Sequence, residues 1–445
     1  MLGFIEAFRA SASNGRDIVI SIERENSKCC VHRFKIHGTR EKTELDMFFA
    51  ERVVKFLLWQ KGGWRVGIHG DADIAGRIAS IYRAGGEREF DIQVMAGAYE
   101  REFEVIAGDL NAVPPENDGG APMGGHLDGC RIGFDAGGSD RKVSAVIDGE
   151  AVFSEEVVWH PKTQSDPSYH YDGIVSAFRE AARHMPRVDA IGVSSAGIFV
   201  ANRCMRASLF IKVPPEAFDR EVKDIYIRAA SEFGVPLVVC NDGDVAALAG
   251  VLGLKDNNVL GIAMGTSEAA GFVDKSGNIR GWLNELAFAP VDVSPDAAID
   301  PWSLDRGVGA MYFSQDAVIK LAPAAGITFG EDDTPAEKLK TVQDLMEAGD
   351  AGARDIFSSI GVYLGHSLAL YHRFYGFRHG LMMGRVMSGK GGNLVLETAN
   401  EVLRDEYPHI KDMVAELPDE MTRRVGQSVA AASLPDIKNR RTARA

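Results

Sequence analysis

The 445-residue chain has no long apolar run, no excess of positive charge and no regular cysteine pattern. A helix that crosses a membrane needs about 20 predominantly apolar residues, and no segment approaches that length. The formal net charge is −14, which argues against nucleic acid as the main partner because phosphate backbones attract clustered Lys and Arg. The sequence therefore predicts neither a membrane partner nor a nucleic-acid partner.

The cysteines are scattered and odd in number: Cys29, Cys30, Cys130, Cys204 and Cys240. Their spacing predicts neither a disulfide framework nor a zinc site. The opening residues Met-Leu-Gly-Phe-Ile-Glu lack a basic stretch followed by an apolar run, so we expect no secretory signal. A reducing, cytoplasmic setting is the simplest expectation.

The length suggests two or three domains. Residues 111–128 are rich in Pro and Gly and predict a linker, 129–436 a two-lobed region, and 437–445 a basic, solvated tail. Residues 1–110 predict strands at 17–23, 29–36 and 64–69 and helices at 43–61 and 71–84. This pattern indicates an extra N-terminal α/β domain, or a degenerate half-lobe whose first hairpin turn has no glycines.

Residues 131–149 predict a hairpin with an unusual turn. A short apolar strand ends in Asp135, the turn carries Gly137, Gly138 and Ser139, and a second strand runs to an Asp-Gly turn. Successive backbone N–H groups in a glycine turn can point into one concavity and bind phosphate oxygens. A carboxylate at the strand end is placed to meet Mg²⁺ or its water shell. Taken alone, such a turn is more often only a hairpin.

Residues 237–250 predict a buried strand that ends in Asn241-Asp242 and passes directly into an Ala-rich helix. Asp242 or Asp244 could simply cap that helix. Alternatively, Asp242 accepts the proton of a substrate hydroxyl and Asn241 binds the neighbouring hydroxyl. Both interpretations hold together if Asp244 is the cap and Asp242 the base.

Two further segments have glycine turns. Residues 259–273 predict strand, Gly265-Thr266-Ser267 turn and strand, which repeats the first hairpin. Residues 380–393 follow a predicted helix with apolar positions every four residues and end in a glycine loop, Gly389 to Gly392, that opens another helix.

These four segments, in this order and approximate spacing, resemble the phosphate, base and adenosine motifs of the repressor–ORF–kinase (ROK) family of sugar kinases, within the actin-like ATPases. The resemblance covers the C-terminal part, 129–436. It implies an α/β, two-lobed actin-like (ribonuclease H-like) ATPase fold, with the N-terminal α/β domain as an addition. It implies ATP and Mg²⁺ as cofactors, a sugar-like small molecule as substrate and a role in carbohydrate metabolism. A homodimer is the candidate assembly.

The resemblance also implies residue roles. Asp242 would be the general base, and Asp135 would hold Mg²⁺ through water. The substrate-binding candidates are Ser195, Gly197, Ser208, Asn241 and Glu285. The nucleotide-binding candidates are Asp135, Gly137, Gly138, Ser139, Gly265, Thr266, Ser267, Gly389, Gly391 and Gly392. Lys142 and Lys390 could neutralise phosphate charge, although Lys142 is more simply a solvated lysine.

The sequence departs from the family where many members carry Gly-Glu-x-Gly-His and a cysteine-rich zinc loop. The corresponding stretch keeps Glu285 but has Phe288 in the histidine position, and no cysteine follows Cys240. We therefore expect no structural zinc of that type. A later Gly-Cys-x-Glu segment aligns loosely with residues 309–312, which end in Tyr312, so the acceptor is not inferred to be glucose.

Three functions remain open at this point. The leading hypothesis is an ATP-dependent sugar kinase, a phosphotransferase with an alcohol group as acceptor. The second is a sugar-sensing regulatory protein with a kinase fold and little turnover, which the missing zinc loop and the N-terminal addition favour. The third is another actin-like ATPase that drives a conformational change in a partner.

Overall fold

The structure is a computed structural model that describes residues 1–119, 123–410, 414–416 and 420–437. The described residues form two compact units. The first lies within Met1–Gly119, Ile262–Ala270 and Trp282–Leu417, and the second within Gly120–Gly261, Gly271–Gly281 and Pro418–Ala445. Part of the predicted linker and all but the first residue of the predicted tail lie outside the described residues. Among the described residues, no helix combines the length and hydropathy needed to span a bilayer.

The N-terminal region is α/β, and its elements lie close to the predicted bounds. They are α1 (Leu2–Ser11), β1 (Arg16–Glu23), β2 (Cys29–Ile36), α2 (Thr43–Lys61), β3 (Arg65–His69), α3 (Ala72–Ile81), α4 (Glu89–Tyr99) and β4 (Glu104–Gly108). The strands form one sheet in the order β2-β1-β3-β4. These residues share a compact unit with 282–417, so the boundary of a separate N-terminal domain at residue 110 stays a prediction.

The second unit contains the predicted first lobe. Its elements are β5 (Cys130–Ala136), β6 (Asp140–Ile147), β7 (Glu150–Val158), α5 (Pro167–Ala182), β8 (Ala190–Ser195), β9 (Ile198–Val200), β10 (Arg203–Arg206), α6 (Pro215–Ala217), α7 (Ile225–Ala230), β11 (Leu237–Asn241) and α8 (Asp242–Leu254). The main sheet has the order β11-β8-β5-β6-β7, in which β5, β8 and β11 are parallel and β6 and β7 are antiparallel additions.

The N-terminal sheet and the main sheet of the second unit differ in the relative direction of their paired strands. In the second unit β5 pairs with β8 in parallel, whereas in the N-terminal sheet β1 pairs with β3 antiparallel. The element order hairpin, helix, strand is the same in both places, so the sequence pattern could not reveal this difference. The antiparallel pairing favours an added α/β segment over a degenerate half-lobe.

The remaining elements are β12 (Val259–Met264), β13 (Glu268–Val273), α9 (Gln315–Leu321), α10 (Pro335–Glu347), α11 (Ala351–Tyr375), β14 (His379–Met383), α12 (Gly389–Glu406), β15 (Val414–Glu416) and α13 (Glu420–Ala432). Strands β13, β12, β14 and β15 form a sheet in that order. Helix α11 presents the expected apolar side, since Ile356, Ile360, Leu364 and Leu368 are all buried.

Two glycines let α13 approach the sheet of the second unit. Gly133 on β5 and Gly192 on β8 are register partners. A β-carbon on Gly133 would lie 1.8 Å from the Ser428 carbonyl oxygen, and one on Gly192 would lie 1.7 Å from that of Ala431. Any side chain at either position would push the helix away, so the close packing of α13 requires glycine at both.

Helix α2 is buried on nearly all sides, including its charged residues. Arg52 contacts Glu51 at 2.5 Å, and Lys55 contacts Asp91 at 2.9 Å. Arg88 contacts Glu51 at 2.7 Å. All three cations also meet Asp305, a residue far along the chain, at 3.0 to 3.1 Å. We call this set of six residues the buried ion network.

Candidate active site

The carboxyl ends of three parallel strands bring polar residues together in the second unit. Asp135 at the end of β5 pairs in register with Ser194 on β8, and Asn241 at the end of β11 pairs with Ser195. In open α/β sheets this edge is where ligands bind. The structure therefore joins residues that the sequence presents as separate motifs.

Asp135 is buried and accepts a hydrogen bond from Ser194 Oγ at 2.7 Å. The pKa of Asp135 is raised to about 6, mainly by burial and also by the negative charge of Asp242, against the hydrogen bond from Ser194 that lowers it. A buried carboxylate whose proton affinity is raised by a second, half-buried carboxylate is a natural place for a cation. The oxygen donors fit Mg²⁺, which takes one or two protein carboxylates and completes its shell with water and phosphate.

Asp242 occupies the first turn of α8. Burial raises its pKa, while the Gly243 N–H and the charge of Lys162 lower it. The N-terminal end of a helix favours negative charge, which keeps an ionised carboxylate tolerable there. Asp242 thus combines a raised proton affinity with a position at the strand-end edge, as a general base requires.

The helix cap is not the residue that the sequence suggested. Asn241 caps α8, since its Oδ1 accepts from Gly243 N at 2.7 Å and its Nδ2 donates to the Gly197 carbonyl at 2.8 Å. Asp244 is buried and accepts from Phe272 N in β13 at 3.0 Å, so its interpretation as the cap was wrong. The Asp244 carboxylate accepts a backbone hydrogen bond from β13 instead of capping α8. The local sequence around Asp244 does not reveal that contact.

Gln427 is a further residue of this site that the sequence analysis did not identify. Its Nε2 donates to Ser194 Oγ and to the Asp242 carbonyl, both at 3.3 Å. This amide joins the ends of β8 and β11 from α13, almost two hundred residues further along the chain. No local signal marked it, because a glutamine on an amphipathic helix is ordinary.

The turn Gly137–Ser139 is clamped by Trp159, which the sequence analysis also missed. Trp159 Nε1 donates to the Gly137 carbonyl at 2.8 Å, and its backbone N–H donates to the Ser139 carbonyl at 3.1 Å. Gly138 and Ser139 themselves remain exposed. Both bonds use carbonyl oxygens, so the N–H groups proposed for phosphate are not consumed by Trp159.

The substrate candidates of this unit differ in accessibility. Ser195 is fully buried and accepts from Tyr226 Oη at 2.9 Å, which turns it into the core. Ser208 is exposed at the start of a short 3-10 helix, and Gly197 lies in the turn after β8. Asn241 has one amide hydrogen left after its two bonds. Their roles in acceptor binding stay predictions.

In the first unit, the turn between β12 and β13 meets the end of β14. Gly265 N donates to the Ser267 carbonyl at 3.0 Å, which closes the turn. Arg385, which follows β14, donates to Thr266 Oγ1 at 2.8 Å, and both side chains are exposed. Arg385 is a further residue that the sequence analysis passed over, and it places a guanidinium beside the second glycine turn.

In the loop that opens α12, groups of the protein itself fill positions that the sequence assigned to a nucleotide. Glu347 accepts from Lys390 N at 2.8 Å, so a carboxylate already sits on one free N–H of this helix. A β-carbon on Gly391 would lie 2.6 Å from the Phe357 ring, and one on Gly392 would lie 2.0 Å from the Met387 carbonyl. These two glycines are explained by internal packing, and their role toward a nucleotide stays a prediction, as does that of Gly389.

Glu285 lies beside a second buried acid. The pKa of Glu268 is raised to about 8, mainly by burial and also by the charge of Glu285, against a weak hydrogen bond from Tyr371 at 3.4 Å that lowers it. Glu268 directly follows the turn Gly265–Ser267, yet no local pattern distinguishes it from a strand residue on the surface. Glu285 therefore lies close enough to Glu268 to raise its pKa, and its role toward a substrate stays a prediction.

Comparison with known proteins completes this description. No protein family and no curated protein matches the chain. Solved structures do match: a ROK family glucokinase from Streptomyces griseus in complex with glucose and AMPPNP has 21% identity, TM-score 0.50, and covers 68% of this chain and 98% of that chain. A ROK hexokinase from Thermus thermophilus has 18% identity, TM-score 0.54, and coverages of 68% and 97%.

A ROK family transcriptional regulator, a homologue of the E. coli MLC protein, matches with 16% identity, TM-score 0.53, and coverages of 69% and 79%. Identities this low establish the fold alone. The chain has a ROK-like, actin-like ATPase fold, and this prediction from the sequence is confirmed. Because kinases and a regulator share the fold, activity has to be argued from the site.

Proposed function

We propose that the protein is an ATP-dependent kinase that phosphorylates a hydroxyl of a sugar or sugar-like small molecule. The observation that carries the proposal is the meeting of Asp135 and Asp242 at the carboxyl edge of three parallel strands. A protein that only bound a sugar would have no need for a buried Asp135 whose pKa is raised by the charge of the half-buried Asp242. The structural likeness to kinases supports the fold on which this chemistry operates.

Each residue has a distinct part in the mechanism. The acceptor oxygen forms a bond to the γ-phosphorus while the bond from that phosphorus to the β,γ-bridging oxygen breaks. Asp242 takes the hydroxyl proton, and its raised pKa makes it a stronger base than an exposed aspartate. Asp135 would hold Mg²⁺ through water, and the ion would supply charge neutralisation to the phosphate oxygens.

The glycine turns are assigned to the nucleotide in this proposal. In the second unit, the exposed residues Gly138 and Ser139 would present their N–H groups to phosphate. In the first unit, Thr266 and Arg385 would present a hydroxyl and a guanidinium. Asn241 orients the first turn of α8 by capping it, so it positions Asp242 whether or not it also touches the acceptor.

One observation favours the sugar-sensing alternative. The Glu347 carboxylate occupies Lys390 N at the start of α12, where the family resemblance places the adenosine end of the nucleotide. A carboxylate there competes with nucleotide binding. Calorimetric titration with Mg²⁺ and a non-hydrolysable ATP analogue separates the two hypotheses. A kinase must bind the analogue. Absence of binding at millimolar concentration would refute the kinase and favour the sugar-sensing protein.

The decisive experiment compares Asp242→Asn with Asp244→Asn. A panel of sugars, amino sugars and polyols is first screened for ADP release. With the best acceptor, Asp242→Asn should lower turnover by ~10²–10⁴-fold, the usual contribution of a positioned base, with nearly unchanged nucleotide affinity. Asp244→Asn keeps an oxygen to accept from Phe272 N and should retain most of the turnover. Wild-type turnover in Asp242→Asn would refute this mechanism.

A further inference from the structure

Lys162 lies directly against the first glycine turn. It belongs to a short 3-10 helix, Pro161–Thr163, that follows β7. A β-carbon built on Gly138 would lie 3.1 Å from Lys162 Nζ and 3.0 Å from its Cε. Gly138 is therefore the residue that leaves room for the ammonium group, and its lack of a side chain has a local reason beyond the conformation of the turn.

The lysine is exposed, and within the part of the chain that the structure describes it has no ion pair or hydrogen bond. This contrasts with Lys142 on β6, which pairs with Asp140 at 3.3 Å. A cation without a partner beside a turn of exposed N–H groups is suited to an anionic ligand, because its charge is not already neutralised.

The backbone on both sides of Lys162 is fixed. Trp159 is buried and joined to the glycine turn by two hydrogen bonds. On the other side, the Pro161 carbonyl lies 3.0 Å from Nε2 of the buried His170 on α5. The fixed backbone therefore holds Lys162 beside the turn, and only its side chain is free to adjust the position of the ammonium group.

The charge of Lys162 also reaches the proposed base. It lowers the pKa of Asp242, so the ammonium lies within electrostatic range of that carboxylate. The charged groups near that carboxylate are Asp135 and Lys162, with the Lys142–Asp140 pair next to Asp135.

We propose that Lys162 binds the phosphoryl oxygens of the nucleotide held by the turn Gly137–Ser139 and stabilises their charge during transfer. The inference rests on the proposed kinase function and adds to it a residue that the sequence motifs did not contain. A lysine in this role acts as a point charge toward phosphate.

The test measures binding of a non-hydrolysable ATP analogue with Mg²⁺ by calorimetry to wild type, Lys162→Met, Lys162→Arg and Lys255→Met. Lys255 is the matched control, since it is exposed at the far end of α8, about 20 Å from Asp242 at 1.5 Å per residue. We expect Lys162→Met to weaken binding about tenfold or more, because it removes a charge-assisted contact. Lys162→Arg should stay within about threefold of wild type, and Lys255→Met should equal it.

The outcomes separate this inference from the proposed function. If wild type binds the analogue and Lys162→Met binds it equally well, the role of Lys162 is wrong while the kinase proposal stands. If Lys255→Met weakens binding as much as Lys162→Met, the effect is one of overall charge and the inference is refuted. If wild type fails to bind the analogue, both the kinase proposal and the role of Lys162 are refuted.

Folding of the variants is checked by their thermal unfolding midpoints. Should Lys162→Met be misfolded, the salt dependence of the wild type decides instead. An exposed lysine–phosphate contact is screened by salt, so wild-type affinity must fall as ionic strength rises. Affinity independent of salt would overturn the role of Lys162.

Discussion

Replacing Asp305 with asparagine should destabilise the first unit strongly, because this carboxylate balances the buried ion network. Arg52, Lys55 and Arg88 all contact Asp305 at 3.0 to 3.1 Å. The network contains three cations and three carboxylates, so the substitution leaves one uncompensated positive charge in a buried site. Breaking a buried pair in this way costs about 3–5 kcal/mol.

The lower end of that range applies here for two reasons. An asparagine can keep the bond in which Asp305 Oδ1 accepts from Arg306 N at 2.8 Å. The cations also retain the other two carboxylates of the network. We therefore expect a loss of about 3 kcal/mol in the free energy of unfolding, measured by urea titration with tryptophan fluorescence.

The matched control is Asp344→Asn, which breaks a pair with Lys340 whose two side chains are 69% and 64% exposed. That change should stay within about 0.5 kcal/mol of wild type.

Burial raises the pKa of Asp305, but Lys55, Arg52 and Arg88 lower it more, so the net direction is well below its ordinary value. Its stabilisation is present above the unfolded pKa of about 3.9 and is lost as the pH falls below it. The difference between wild type and Asp305→Asn must therefore shrink on acidification. Equal stability of the two at pH 7 would refute the reasoning.

Three further predictions follow from other parts of the molecule. Since the pKa of Glu268 is about 8 in the fold, wild type should lose stability relative to Glu268→Gln as the pH rises from about 4.5 to 8, a trend that unfolding titrations at pH 5 and pH 8 would reveal or rule out. Elemental analysis of protein purified without chelator should find no stoichiometric zinc, because Phe288 replaces the family's ligand; one zinc per chain would show that the alignment of 284–312 is wrong. A fragment that begins at residue 111 should be insoluble, because it lacks the α2 residues that pair with Asp305, and a folded, soluble fragment would contradict this expectation.

The sequence was sufficient for elements whose signals are local. Helix 43–61 and strand 29–36 match the structure, because apolar periodicity and turn residues determine where such elements begin and end. The sequence singled out Asp135 and Asp242 because Asp135 lies at the end of an apolar strand and Asp242 directly follows one. That position puts a polar side chain at the ligand edge whenever the strands are parallel.

Contacts between distant segments lay beyond local patterns. Asp244 looked like a helix cap, and only the position of β13 shows that its carboxylate accepts from Phe272 N. Gly391 and Gly392 looked like ligand-binding glycines, whereas Phe357 and Met387 occupy the space beside them. For Asp244 and Gly391 the contact comes from a distant segment, β13 and α11 respectively, whereas Met387 lies only five residues before Gly392.

The segment 284–312 shows how a departure from the family is accommodated physically. The resemblance implies that relatives hold this segment with a zinc ion, for which this chain lacks the ligands. Here Phe288 packs against Trp59 of α2 and Phe90 of α4, with ring centroids 4.6 and 5.0 Å away. Further along, Asp305 is held by cations from the same N-terminal region. Aromatic packing and buried ion pairs from residues 1–110 thus fix the segment at both ends, so the N-terminal region stabilises the loop that carries Glu285.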